Sequence, residues 1–379
     1  MPVDLDLLLD DLRTLVEVES PSLELEAVEA SAAALARLVE ARLGSAPELV
    51  ASPAGPHVHW SGGGDPRVLL VGHHDTVHPL GSLAERPFAA VDGRVTGPGV
   101  FDMKGGIVLA LHAIAALDDR AGVELLVTAD EEVGSRASRE LIEARARACG
   151  AVLVLEPAAD GGAIKVGRKG TGDFEVIVHG RASHAGLEPE KGVNALVEAA
   201  HQVLAIDELG RPERGTTVTP TVASAGTADN VVPAMARVHV DMRVTELGEA
   251  ARVEAAMAAL VPVHPEVRLE VVGGLNRPPM EESAAAELYA LARDVAAAIG
   301  VPVPVGVAVG GGSDGNLTAA IGVPTLDGLG VTGGGAHAVH EFAETATMVD
   351  RTRLLTALID AIRSRTERPG PTASRAQHP

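Results

Sequence analysis

Cysteine is almost missing from this chain. Cys149 is the one thiol among 379 residues, so no disulfide can form within the chain and a reducing, cytoplasmic setting is expected. Cys149 itself reads as a small buried apolar residue near a helix end. Aromatic residues are 2% of the sequence, which leaves a core of Ala, Val and Leu to be drawn from the 46% that is hydrophobic. Positive charge is also short: 31 Lys and Arg stand against 52 Asp and Glu, for a net charge of −21. That balance argues against nucleic acid or an anionic membrane as a partner, since both need a basic face. No apolar run reaches the ~20 residues of a membrane span. The N-terminus sets Asp4, Asp6, Asp10 and Asp11 among leucines without a basic region, which predicts an amphipathic helix rather than a signal peptide. The stretch from Arg368 to Pro379, rich in Pro, Ser, Thr and Arg, reads as disordered.

What the chain does have is acid and histidine where short apolar runs end. Val68-Leu69-Leu70-Val71 leads into Gly72-His73-His74-Asp75-Thr76-Val77, and Val123 to Thr128 leads into Ala129-Asp130-Glu131-Glu132. Ala151 to Leu155 leads into Glu156-Pro157. Two further segments, Gly97-Pro98-Gly99-Val100-Phe101-Asp102-Met103-Lys104-Gly105-Gly106 and Gly333-Gly334-Gly335-Ala336-His337, complete the set. Nitrogen and oxygen donors without thiolate suit zinc or a similar divalent metal kept reactive. In an extended strand, residues two apart face the same way, so His73 can bind a metal while Asp75 holds its other ring nitrogen, with His74 turned away. Three adjacent carboxylates at 130–132 repel one another unless cations compensate. Strand ends that deliver such groups fit the usual site position in an open α/β sheet.

A chain of this length predicts two domains. The first ~165 residues alternate helical and strand patterns, with helices over 7–18, 23–43 and 105–117, which argues a mainly parallel α/β sheet. From about Gly170 the texture changes. Strand patterns at 172–180, 217–223, 236–244 and 267–272 enclose helices at 193–204 and 249–260, the β-α-β-β-α-β order of a ferredoxin-like unit. The expected organisation is a discontinuous catalytic domain, 1–169 and 280–379, with residues 170–279 inserted as an α+β lid or dimerisation domain. Helices over 284–299 and 348–363 belong to the resumed part. The Gly310-Gly311-Gly312-Ser313-Asp314 loop fails the spacing of a dinucleotide fingerprint.

These motifs, in this order, resemble the M20 family of dizinc metallopeptidases and amidohydrolases over nearly the whole chain, from about Asp4 to about Arg363. The resemblance implies that His73 and Glu156 bind one zinc, Glu132 and His337 the other, and that Asp102 bridges both. It implies Glu131 as general base, Asp75 as the carboxylate behind the metal ligands, and a cis peptide after Asp102. His340 is the alternative histidine, but Gly335-Ala336-His337 followed by Glu341 matches the family spacing better. Met103 departs from the pattern, because many members carry an acidic residue there.

For substrate, the resemblance implies that His184, in Ala182-Ser183-His184-Ala185-Gly186, stabilises the oxyanion from the smaller domain, reaching the partner's site where members are dimers. Asn230, Arg243 and Arg277 match substrate contacts, the arginines as bidentate carboxylate holders. Gly311 and Gly312 match a loop offering backbone N–H groups to the substrate carboxylate. The implied protein is a homodimer with two zinc ions per chain, cobalt or manganese being substitutes. It acts on a small molecule or peptide with a free carboxylate. The glutamate carboxypeptidase branch fits best, and a lysine selecting a glutamate side chain would fall near Lys165. The alternative is an N-acyl-amino-acid deacylase of the acetylornithine, succinyl-diaminopimelate or aminoacylase type. A catalytically silent binding protein of the same fold is the other-class reading, but such a protein should lack the base or a ligand, and neither is missing here.

Overall fold

The computed structural model describes residues 3–365; the segment read as a disordered tail, Arg368 to Pro379, lies outside the described residues. The chain divides into two compact units. One runs to Gly167, resumes over Met280–Val309 and continues from Ser313; the other comprises Arg168–Pro279 and Gly310–Gly312. The three glycines group with the second unit, where Arg168 donates to the carbonyls of Gly311 and Gly312.

The first unit is built on a six-stranded sheet in the order Glu48–Val50, His57–Ser61, Val123–Thr128, Val68–His73, Val152–Val154, Thr325–Leu326. The last four strands are mutually parallel. Val68–His73 and Val123–Thr128 are buried at every position, as expected of near-continuous apolar strands covered on both faces. Helices Leu5–Val16, Leu25–Leu43, Gly105–Ala115, Glu282–Ile299 and Met348–Arg363 pack on this frame. Asp4 starts the first of these by accepting the N–H of Asp6, and Gly44 stops the second in a left-handed conformation. The core is almost wholly aliphatic, in keeping with the scarcity of aromatics. Its one tryptophan, Trp60, satisfies its indole N–H on Ser45 Oγ at 2.8 Å. No helix among the described residues is long and apolar enough to cross a membrane.

A smaller sheet in the same unit had no signal in the periodicity. It joins Gly333–Gly334, Phe342–Glu344, Arg94–Thr96 and Ala89–Val91, each antiparallel to the next. Phe342 pairs with Thr96, so the loop carrying His337 and the loop leading to Asp102 leave the same sheet.

The second unit is a four-stranded antiparallel sheet in the order Thr217–Ala225, Met235–Val244, Gly170–His179, Arg268–Arg277. Helices Ala195–Asp207 and Leu247–Ala258 complete the ferredoxin-like β-α-β-β-α-β order. Asn194 caps the first by accepting the N–H groups of Leu196 and Val197. Phe174, Val176 and Val178 alternate inward from the central strand into a separate aliphatic core.

Candidate metal centre

Three neighbouring parallel strands end together and bring His73, the 130–132 segment and Glu156 to one edge of the main sheet. His73 is 1% exposed. Its Nε2 lies 3.4 Å from Asp102 Oδ1 and 3.6 Å from Glu156 Oε1. His337 Nε2 lies 3.5 Å from Asp102 Oδ2 and 3.1 Å from Glu132 Oε2. Asp102 thus turns one oxygen to each histidine. Donor atoms of His73, Asp102 and Glu132 lie within 4.8 Å of one another, as do those of His73, Glu131 and Glu156. The Asp102–Met103 peptide is cis, as the resemblance implies.

The arrangement around these groups differs in detail from the strand argument. The strand stops at His73, and the ring's Nδ1 donates to the backbone carbonyl of Asp75 at 3.0 Å, with the carboxylate Oδ1 at 3.5 Å. The Asp75 carboxylate instead accepts the N–H groups of Glu131 and Glu132, both at 3.2 Å, and the Ser22 hydroxyl at 2.7 Å. The bond to Nδ1 leaves Nε2 as the nitrogen a neutral ring could offer to a metal. His74 does turn away, to Ser31 Oγ and the Pro56 carbonyl, and burial lowers its pKa to about 4. Asp130 also faces away, accepting the N–H groups of Ala137 and Ser138. Two of the three adjacent carboxylates, Glu131 and Glu132, therefore lie beside the candidate ligands. Met103, at the departure from the family pattern, is buried with its sulfur accepting the His73 N–H at 3.3 Å.

His73 Nε2, Asp102 Oδ1 and Glu132 Oε1 are buried without a hydrogen-bond partner among the described residues. Buried polar atoms are normally satisfied, and three orphans in one imidazole–carboxylate cluster fit a divalent cation. The electrostatics agree. Burial disfavours the His73 imidazolium, but Asp102, Asp75 and Glu156 outweigh it and hold the ring well above its ordinary value. Asp102 and Glu132 raise His337 to about 10. Burial works against an ionised Asp102, yet His337 and His73 keep it below the usual carboxylate range. Burial pushes Glu132 up. A cation would supply the positive charge that protons on these two rings otherwise bring.

Glu341 receives no role from the sequence beyond its spacing from His337. It is 2% exposed and accepts three backbone N–H groups of the Asp102 loop. Its signal was there as an acid four residues after a histidine, but nothing local reveals a partner more than 200 residues away. Lys165 Nζ lies 3.9 Å from Glu156 Oε2. His340 is exposed.

The expected substrate contacts belong to the second unit. His184 is exposed, and its Nδ1 accepts the N–H groups of Gly186 and Leu187, both at 3.1 Å, which puts the proton of the neutral ring on Nε2. Asn230 is exposed. Arg243 is occupied by a bidentate pair with Asp241, with bonds of 2.9 and 2.8 Å. Arg277 is buried. The carbonyls of Gly311 and Gly312 both point to Arg168.

Parallel strands ending in carboxylates and imidazoles with orphaned ligand atoms define an α/β protein with a candidate divalent-metal centre. Residues 69–361 match the model of peptidase family M20/M25/M40, and the chain belongs to that family of hydrolases. Carboxypeptidase G2 of Pseudomonas sp. (strain RS-16) is 38% identical over 188 residues, 48% of this chain and 45% of that protein. Succinyl-diaminopimelate desuccinylase 2 of Shewanella loihica is 33% identical over 223 residues, 51% of this chain and 58% of that protein. The matches thus span about half the length of these curated relatives. The fold is similar to the crystal structure of the M20 family metallo-carboxypeptidase Sso-CP2 of Sulfolobus solfataricus, with a TM-score of 0.74 at 17% identity over 94% of this chain and 99% of that one.

Proposed function

We propose that this chain is a two-zinc hydrolase that cleaves an amide bond next to a free carboxylate, a carboxypeptidase releasing a C-terminal amino acid such as glutamate. The observation that carries the reading is Asp102, which turns one carboxylate oxygen to His73 and the other to His337. In this reading His73 and Glu156 would hold one ion and Glu132 and His337 the other, with Asp102 offering an oxygen to each. Ions bound there would polarise the scissile carbonyl and lower the pKa of the attacking water. Glu131, 8% exposed beside the His73 and Glu156 donors, takes the water's proton and passes it to the leaving amine. Asp75 holds the Glu131 backbone in place while that proton moves. His184 Nε2–H donates to the developing oxyanion. Arg243, Arg277, Asn230 and the N–H groups of Gly311 and Gly312 orient the substrate, with Arg243 releasing Asp241 to do so.

The active form in this reading is a homodimer through the second unit. That unit exposes Leu196, Val197 and Leu204 on one helix and Val222 on the edge strand Thr217–Ala225. An unpaired strand edge beside apolar side chains invites a second copy.

N-acyl-amino-acid deacylation is the second reading, favoured by the similarity to a succinyl-diaminopimelate desuccinylase. Both are tested by one assay of zinc-loaded protein against C-terminal glutamyl peptides and N-acyl amino acids, with a chelator control. Chelator-sensitive release of glutamate supports the carboxypeptidase. Turnover of acyl amino acids alone overturns it in favour of the deacylase, and turnover that survives full metal removal overturns both.

A further inference from the structure

Glu341 is a buried carboxylate whose hydrogen-bonding capacity is used up. Oε1 accepts the N–H groups of Phe101 and Asp102, each at 2.9 Å. Oε2 accepts the N–H of Gly99 at 2.9 Å and meets His78 Nε2 at 2.6 Å. A carboxylate offers about four acceptor sites, and all are taken by donors. Three of those donors are the backbone of the loop that ends in Asp102.

The histidine's state follows from its other nitrogen. His78 Nδ1 lies 3.2 Å from Arg86 Nη2. Guanidinium only donates, so Nδ1 accepts and Nε2 carries the proton given to Glu341. Arg86 Nη1 in turn donates to the carbonyl of Ala338 at 3.3 Å, the residue after His337. The chain Arg86–His78–Glu341 therefore ties the segment carrying His337 to the loop carrying Asp102.

His337 needs such a tie. Its side chain is 54% exposed, so packing alone does not hold the ring. Its backbone sits in the left-handed region at φ 64. Its place is set by where its loop is anchored, and Glu341 is the anchor. His73 and Glu156, by contrast, follow directly from strands of the central sheet.

We propose that Glu341, oriented by His78 and Arg86, is a positioning residue that sets Asp102 and His337 at the separation a second metal ion requires. This rests on the two-metal reading above. Glutamine at 341 would put an amide N–H₂ against the Gly99 N–H or the His78 Nε2–H, two donors face to face. Loss of the anchor weakens the ion held by His337 and Glu132 more than the ion held by His73 and Glu156.

The test is a calorimetric zinc titration of the chelator-stripped full chain as wild type, Glu341→Gln, His78→Phe and His78→Gln. Circular dichroism and thermal melting of the stripped proteins accompany it. Wild type should take two ions. Glu341→Gln should bind one ion at least ~10-fold more weakly, the usual effect of losing a group behind a metal ligand, with a smaller change for the other ion. His78→Phe should move the same way, and His78→Gln should recover much of the loss because its amide can still donate to Glu341. The visible band of the cobalt-loaded Glu341→Gln protein should shift as well, a change that a purely structural role would not produce. Two ions of unchanged affinity in the variants, or equal weakening of both, overturns the inference while leaving the two-metal reading in place. A wild type that takes fewer than two ions overturns that reading and the inference with it. If Glu341→Gln does not fold, His78→Phe, one bond further from the backbone, decides between the same outcomes.

Discussion

The Asp75 carboxylate accepts the backbone N–H of Glu131 at 3.2 Å. Its second oxygen takes the next N–H, that of Glu132, at the same distance. Asp75 is fully buried and Ser22 donates to it as well. Burial works against its charge, but His73, Ser22 and neighbouring charge hold its pKa below the ordinary value. One fixed anion therefore orients a short turn, Glu131–Val133, from which Glu131 reaches the His73 and Glu156 donors while Glu132 reaches His337 and Asp102.

That divergence separates two roles. Glu131→Gln keeps the shape but cannot accept a proton, so it should bind metal as wild type does and lose at least ~10²–10⁴-fold in turnover. Glu132→Gln offers a neutral amide to the metal and should lose metal content first. Elemental analysis beside turnover for both variants checks this. A depleted Glu131→Gln with a metal-replete Glu132→Gln would reverse the assignment.

The proposed action of His184 in the site of a partner subunit predicts complementation. A chain with His184→Ala and a chain with Glu131→Gln should each be nearly inactive alone. Mixed under conditions of proven subunit exchange, they should recover activity through hybrid dimers that hold one intact site. A mixture that stays inactive despite exchange would show that His184 does not act in the partner's site.

Close approach of backbone makes Gly106 a sensitive position. A Cβ there would fall 2.0 Å from the carbonyl oxygen of Leu155, the residue before Glu156. Gly106→Ala must push the helix Gly105–Ala115 off the strand end, at about 1–3 kcal/mol for an overpacked core. Urea unfolding should show that loss, and zinc affinity should fall because Asp102 and Glu156 are both displaced. Unchanged stability would mean that the contact relaxes freely.

Acid sensitivity should have a source far from the metal centre. Asp11 receives both Arg42 Nε and Nη2 at 2.6 Å and faces His112 Nε2 at 2.7 Å, joining helices Leu5–Val16, Leu25–Leu43 and Gly105–Ala115. Burial tends to raise its pKa, but His112 and Arg42 outweigh that and lower it. A carboxyl with a lowered folded pKa adds stability above its unfolded value, roughly 3.9, and that stability is lost as pH falls through the folded value. Asp11→Asn should cost about 1.5–3 kcal/mol at neutral pH, the usual worth of hydrogen bonds to a charged group. The gap from wild type should begin to narrow as pH drops below about 4. Denaturant curves at pH 7 and pH 3 check both parts, and a gap of undiminished size at pH 3 would mean the loss is not one of charge.

Much of this protein could be read from residue order because the relevant physics is local. Burial on both faces makes Val68–His73 and Val123–Thr128 continuous apolar runs, and alternation marks Gly170–His179 as covered on one face. Acid and histidine at run ends pointed to a metal centre, since such groups are costly inside a sheet and useful at its edge. Other features came only from tertiary structure. Gly333–Gly334, Ala89–Val91 and Arg94–Thr96 are too short for a period, yet their pairing brings the Asp102 and His337 loops together. The strand rule placed Asp75 on the same side as His73, but the strand ends at His73, so the Asp75 carboxylate accepts the backbone N–H groups of Glu131 and Glu132 and stands 3.5 Å from the ring, whose nearer partner is the Asp75 carbonyl at 3.0 Å. Glu341 could not be told from a surface acid, because its donors at Gly99, Phe101 and Asp102 lie more than 200 residues earlier. Periodicity records which side of an element is buried; which distant backbone groups need an acceptor is decided only when the elements pack.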